Sequence, residues 1–336
     1  MKVLGWFSLA LLAVVFFALF VVQSLVAMNR PRDSAELRRN TVVDMPVQTM
    51  QETAGIPRVA NFEARDRSLL GFRHYRSSKV TRIKLYLVHA ETWDDLEFAP
   101  LATALAYREG MADVFTFDMR GHGQNPLHRG DVDYVGQPTD DLEDLIKATS
   151  TPEDIVVIGG HSAGAAVATR LAADPGRTKL AGLLLLAPLF SPDFTANKPS
   201  VAGWAVSLPW RVAALKLQNV LGIHWSDREI AVQYAVPDAV WKGPLGYSVT
   251  GDYTWRFVKS LQLTDSNGSE LSEVKTPYLA IVGSADELID ASTLEPAMKA
   301  LNKRGEFAVL PQETHFGLVN SQQTLAIIQN WLSKLQ

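Results

Sequence analysis

The chain has 336 residues, 47% of them hydrophobic and 20% charged, a globular mixture that excludes whole-chain disorder and fibrous folds. A net charge of −4 without a long Lys/Arg run leaves nucleic acid no electrostatic footprint. With no cysteine there is no disulfide scaffold, thiolate metal site, Cys nucleophile or lipid-modified N-terminal Cys.

Val3–Met28 holds no charged residue. As a helix it would measure ~39 Å at ~1.5 Å per residue, against a hydrocarbon core of ~30 Å. A retained transmembrane anchor is the first expectation. A cleaved signal segment, giving a secreted or periplasmic protein, is the second, although Leu25 stands where a small residue suits cleavage after Ala27. Lys2 lies on one side of the segment, and Arg30, Arg32, Arg38 and Arg39 on the other. The positive-inside count favours a cytoplasmic body, and a signal-anchor reading favours the opposite side. Residues 29–58 are polar, with Pro31, Pro46, Gly55 and Pro57, and read as a linker.

From Val59 a strand–helix alternation begins and carries one domain over residues 59–336. Buried-strand runs are Ile83–Val88, Val114–Phe117, Ile155–Ile158, Leu183–Leu186 and Tyr278–Val282, with a weaker one at Phe307–Leu310. Helical periods cover Leu96–Arg108, Asp140–Ala148, Ala163–Ala173, Ser292–Lys303 and Ser321–Leu335. The expected fold is α/β, a mostly parallel sheet flanked by helices. In such sheets functional groups gather at the carboxyl ends of the strands. Residues 190–264 interrupt the alternation and are expected to form a mostly helical cap. They hold five of the eight tryptophans, Trp204, Trp210, Trp225, Trp241 and Trp255, which become candidates for lining a substrate pocket.

Gly160-His-Ser-Ala-Gly164 lies between the apolar strand and the helix Ala163–Ala173. This G-x-S-x-G in a strand-to-helix turn marks Ser162 as a nucleophile raised above the sheet. Its glycines allow strand and helix to approach, and the helix N-terminus favours developing negative charge. A serine hydroxyl needs a base, and the base an orienting acid. Only His224 and His315 follow Ser162. His224 falls in the insertion; His315 follows the last strand, as the chain order Ser, acid, His requires. Asp286, ending YLAIVGSAD, is the expected acid, with Glu287 and Asp290 as alternatives.

These motifs resemble the α/β-hydrolase superfamily, most of all the branch of monoacylglycerol lipases, lysophospholipases and serine-aminopeptidase-like proteins. The likeness runs from about Glu63 to the C-terminus. It includes DRSLLGFRHYRSSKVTRIKLYLVHA as first hairpin and oxyanion strand, the D-x-x-G-H-G turn from Asp118, GHSAG and GSADEL. The resemblance implies Ser162 as nucleophile, Asp286 as acid, His315 as base, and an oxyanion hole made by the backbone N–H groups of Ala163 and Glu91. In the second of these segments, His89-Ala-Glu-Thr92, Ala90 replaces the family's usual Gly. The Glu91 carboxylate is expected to point away from the oxyanion. His89 and His122 are expected as structural hydrogen-bonders, and His161 to pack or hydrogen-bond beside the elbow; His74 and His128 carry no signal. No metal or other cofactor is implied.

The expected activity is a membrane-tethered serine hydrolase of lipid carboxylic esters, of lysophospholipase, phospholipase A or monoacylglycerol lipase type, working through an acyl-enzyme. A thioesterase, small-ester esterase or aminopeptidase on the same fold is the alternative, followed by a non-catalytic binding protein.

Overall fold

The computed structural model describes residues 13, 16–17, 19–39, 41–47, 55–125, 128–191, 193–263 and 268–335. All six apolar runs become strands of one eight-stranded sheet. Its members are β1 (Ala60–Glu63), β2 (Leu69–Tyr75), β3 (Ile83–Val88), β4 (Asp113–Phe117), β5 (Ile155–His161), β6 (Gly182–Leu186), β10 (Tyr278–Gly283) and β11 (Gly305–Leu310). Their spatial order is β1-β2-β4-β3-β5-β6-β10-β11. The β1–β2 and β2–β4 pairs are antiparallel, and every later pair is parallel.

The hydropathy of each strand follows its place. β6, GLLLL, is buried throughout, as a covered parallel strand must be. Each fully buried Leu there is worth roughly 1.5–3 kcal/mol. β2 interleaves Arg73 and His74 with buried neighbours, so it has no continuous apolar run.

The longer helices are α1 (Ser34–Arg39), α2 (Gln137–Thr149), α3 (Ala163–Ala173), α4 (Pro209–Val220), α5 (Ala291–Leu301) and α6 (Gln322–Ser333). The helix expected over Leu96–Arg108 is instead broken into a 3-10 turn, Asp95–Phe98, a short α-helix from Ala99 and a π-turn over Ala104–Arg108. Pro100, with no N–H to donate, restarts the helix. The cap also departs from a mostly helical expectation. It contains a three-stranded antiparallel sheet, β7 (Ala205–Ser207), β8 (Ile230–Tyr234) and β9 (Asp252–Thr254). Strands of three to five residues leave almost no period in a sequence.

Residues 19–28 are helical. Among the described residues no helix is long and apolar enough to cross a membrane; residues 3–12, 14, 15 and 18 of the expected span lie outside them. The helix ends against the cap. Val26 is buried with Ala214, Leu215, Ala231 and Trp255, and Arg211 Nε donates to the Val26 carbonyl at 2.8 Å. The following segment, expected as a polar linker, buries Leu37, Val43 and Met45. There Arg32 N–H donates to Gln233 Oε1 at 2.6 Å, and Gln233 Nε2 donates back to the Arg32 carbonyl at 3.2 Å.

Candidate active site

The turn after β5 explains the glycines of the pentapeptide. A Cβ on Gly160 would stand 2.3 Å from the Gly164 carbonyl, and one on Gly164 would stand 2.3 Å from the Val88 oxygen. No side chain fits at either place. Ser162 pivots the turn with φ 52° and ψ −121°, a conformation costly for a residue bearing a Cβ. Its N–H donates to the Leu186 carbonyl at 3.0 Å, which fixes the turn over β6.

Three loops at the carboxyl ends of the strands bring Ser162, Asp286 and His315 together. His315 Nε2 lies 2.8 Å from Ser162 Oγ. His315 Nδ1 lies 2.9 and 3.0 Å from the two Asp286 oxygens. Asp286 Oδ1 also accepts from the N–H groups of Leu288 and Ile289, each at 2.8 Å. Burial alone would raise the Asp286 pKa. The facing His315, its hydrogen bond and those two N–H groups outweigh burial and hold the carboxyl below its ordinary value. For His315 burial works against the charged ring, yet Asp286, then Glu91 and Glu287, raise its pKa above the ordinary imidazole value.

The alternatives to Asp286 serve other groups. Glu287 accepts from His315 N–H at 2.8 Å through one oxygen and from Asp44 N–H at 2.7 Å through the other. Asp290 caps α5 through Ser292 N–H.

The loop after β3 departs from expectation. The Glu91 carboxylate does not point away. Its Oε2 accepts from Ala163 N–H at 3.2 Å, and its Oε1 accepts from the Trp204 indole N–H at 2.8 Å. The Glu91 backbone N–H donates to no group among the described residues. Thr92 N–H is taken by the Tyr253 hydroxyl at 2.7 Å. Tyr253 in turn faces His122 Nε2 at 2.5 Å, so its proton lies toward the ring. Glu91, Ser162, Asp286 and His315 are all 0% exposed, so a substrate reaches Ser162 only after a side chain or the cap moves.

Of the remaining histidines, His89, His122 and His161 are hydrogen-bonded around the site. His89 Nε2 accepts from Met119 N–H at 3.0 Å, which leaves its Nδ1–H to donate to the Ala90 carbonyl at 2.7 Å. His161 faces Glu97 Oε1 at 2.5 Å and the His315 carbonyl at 2.9 Å. Glu97 Oε2 accepts from Ala90 N–H at 2.7 Å. Neither Glu97 nor Tyr253 has a sequence signal, because their partners are brought near only by folding. His74 stacks on Phe115 in the sheet, and His224 pairs with Asp227 in the cap.

Of the five cap tryptophans only Trp204 is hydrogen-bonded into this constellation. Trp210 and Trp225 are exposed. Trp241 lies beneath the Arg38 guanidinium, and Trp255 donates to Asn219 Oδ1 beside Val26. Among the described residues no group of three or more His, Asp or Glu side chains is placed to hold a metal ion.

A serine, a histidine and an aspartate in line, next to a backbone N–H at a helix N-terminus, form an arrangement that can perform acyl transfer. A family model described as serine aminopeptidase, S33, matches residues 81–321. No curated protein matches the chain. Among solved structures, a soluble variant of monoglyceride lipase from Saccharomyces cerevisiae, with a substrate analog, aligns at a TM-score of 0.62 and 18% identity, covering 88% of this chain and 98% of that one. A monoacylglycerol lipase from Paleococcus ferrophilus aligns at 0.56 and 21%, covering 80% and 99%. A membrane phospholipase A, described as a bacterial virulence factor, aligns at 0.53 and 19%, covering 100% and 99%. These likenesses are of fold.

Proposed function

The chain belongs to the serine aminopeptidase S33 family and is a hydrolytic enzyme with the α/β-hydrolase fold; on that premise we propose that it is a serine hydrolase of lipid carboxylic esters, held at a membrane by its N-terminal segment. The observation that carries the reading is the line of hydrogen bonds from Ser162 through His315 to Asp286.

Ser162 Oγ attacks the ester carbonyl while His315 Nε2 takes its proton. Asp286 holds the imidazole with Nδ1–H toward itself and stabilises the charged ring. The carbonyl oxygen gains its negative charge between the N–H groups of Ala163 and Glu91. The tetrahedral species collapses, and His315 returns the proton to the leaving alcohol. Water, activated by His315, then adds to the acyl-enzyme and frees the fatty acid and Ser162.

Three observations support a lipid ester. The aligned structures include proteins described as monoglyceride lipase and membrane phospholipase A. A small recess opens beside the loop after β3, lined mainly by Met45, Val47, Trp93, Val240, Leu245 and Val249. That apolar lining, rather than its size, suits contact with an acyl chain. Finally, Phe16, Phe17, Phe20, Leu25 and Met28 are exposed in the N-terminal segment, and Trp210, Leu217 and Val220 of α4 are exposed on the cap it docks against. An uncharged run with such a surface suits a bilayer, where it keeps the enzyme beside insoluble substrates.

The test is lipid-class profiling of the full-length protein in detergent, beside its Ser162→Ala variant. The account expects fatty acid release from a lysophospholipid, a phospholipid or a monoacylglycerol by the wild type alone. The family description favours a second reading, an aminopeptidase. Release of N-terminal residues from peptides, without fatty acid release, would move the assignment there.

A further inference from the structure

The Glu91 carboxylate stands where the reaction needs an empty place. An oxyanion hole works through preorganised N–H groups that face the developing negative charge. Here Ala163 N–H already faces a carboxylate oxygen at 3.2 Å. The second oxygen is tied to the cap by the Trp204 indole at 2.8 Å. A carboxylate offers about four acceptor sites, yet a backbone N–H of the hole and one cap indole are the only donors to Glu91 among the described residues. The Glu91 backbone N–H has no acceptor among the described residues, so rotating the side chain away leaves both N–H groups open to a carbonyl oxygen.

We propose that the Glu91 side chain is a plug for the oxyanion hole, latched by Trp204: in the closed enzyme it takes the substrate carbonyl's place on Ala163 N–H, and a cap movement that withdraws Trp204 releases it. The proposal rests on the serine-hydrolase reading above.

The latch sits on a segment wired to the reacting groups. Trp204 packs edge-on against Phe316, the neighbour of His315, with ring centroids 5.9 Å apart. The stretch before it is stitched to the acid loop, where Lys198 N–H donates to the Leu288 carbonyl at 2.8 Å and Lys198 Nζ to the Asp286 carbonyl. The Trp204 carbonyl accepts from Ala235 N–H at 3.0 Å, which ties the latch to the end of β8. A shift of the cap relative to the sheet therefore moves the indole that holds Glu91.

The experiment measures the rate at which a fluorophosphonate probe labels the full-length protein in detergent micelles. The phosphoryl oxygen of the probe must enter the same hole. If the unplugged state is about one-tenth populated, removing the plug speeds labelling about ten-fold. Glu91→Ala is expected to reach that gain. Trp204→Phe, which removes the indole N–H, is expected to gain in the same direction, and the double variant no more than Glu91→Ala, since plug and latch form one device. Should Glu91→Ala fail to fold, Glu91→Gln carries the test: its NH2 replaces one of the two accepting oxygens, so either Ala163 N–H or the Trp204 indole loses its acceptor and labelling must again accelerate.

A second readout separates the plug from a packing role. The titratable groups facing His315 are Asp286, Glu91 and Glu287, with the His161 ring at 4.9 Å. Loss of the Glu91 charge is expected to move the acid limb of the labelling profile to lower pH. Folded Glu91→Ala and Glu91→Gln proteins that label no faster than wild type, with an unmoved acid limb, overturn the plug alone. Equal labelling of wild type and Ser162→Ala overturns the serine-hydrolase reading and the plug with it.

Discussion

Glu97 and His161 meet at 2.5 Å next to Ser162, and that contact links the loop after β3 through the end of β5 to the loop that carries His315. The other Glu97 oxygen holds Ala90 N–H, and the other nitrogen of His161 holds the His315 carbonyl. In the proposed mechanism Glu97 would therefore position the loop after β3 and His315. Glu97→Ala leaves a buried imidazole without its hydrogen-bond partner and should lower stability by about 1–3 kcal/mol, read from denaturant unfolding. Glu97→Gln keeps the shape, so it should fold and lose kcat while KM changes little. An unchanged kcat in a folded Glu97→Gln protein contradicts this role.

Gly164→Ala tests the elbow. The added Cβ meets the backbone oxygens of Val88 and His89 at 2.3 and 2.5 Å, and neither can turn aside. The helix must withdraw from β3, which overpacks the site by about 1–3 kcal/mol and displaces Ser162. Lowered thermal stability together with loss of probe labelling is the expected pair of results.

The acid limb of activity should report His315. Its pKa is raised, net of burial, by Asp286 first and then by Glu91 and Glu287. In the proposed mechanism the neutral ring is the base, so kcat/KM should rise as pH passes upward through that raised value and begin to fall on acidification already above the ordinary imidazole range. The sign for stability is opposite. A raised folded pKa contributes stability that is full below the unfolded pKa and is lost as pH rises through the folded one. Asp286→Asn should shift the acid limb downward, since it removes the largest favourable charge.

Membrane attachment through an apolar segment should resist salt. Full-length protein is expected to stay with membranes through a high-salt wash and to leave only in detergent, because burial of apolar surface is not screened. Release by salt with an intact N-terminus contradicts the tether.

The parts legible in the sequence share a physical feature: their reason is local. Gly160 and Gly164 are demanded by the turn they flank, and β5 and β6 by burial on both faces, so each writes a pattern into neighbouring residues. The line Ser162–His315–Asp286 follows from chain order along the sheet. What the sequence hides depends on distant partners. Glu91 reads as a surface-type residue beside a strand, and its direction is set by Trp204, 113 positions away. Tyr253 meets Thr92 across 161 positions. By composition the five cap tryptophans form one group, although only Trp204 is bonded to the site and the cap strands that spread them are too short to show a period.

The central claim is that Ser162, activated by His315, cleaves a lipid ester. The most direct measurement is fatty acid release from defined lysophospholipid, phospholipid and monoacylglycerol by full-length wild type, Ser162→Ala and Asp286→Asn in the same detergent. The account predicts release by wild type from at least one class, none by Ser162→Ala, and a kcat for Asp286→Asn lower by as much as ~10⁴, the loss seen when a serine protease base is left in the wrong tautomer. Release by Ser162→Ala at the wild-type rate, with unfolding midpoints matched, would contradict it.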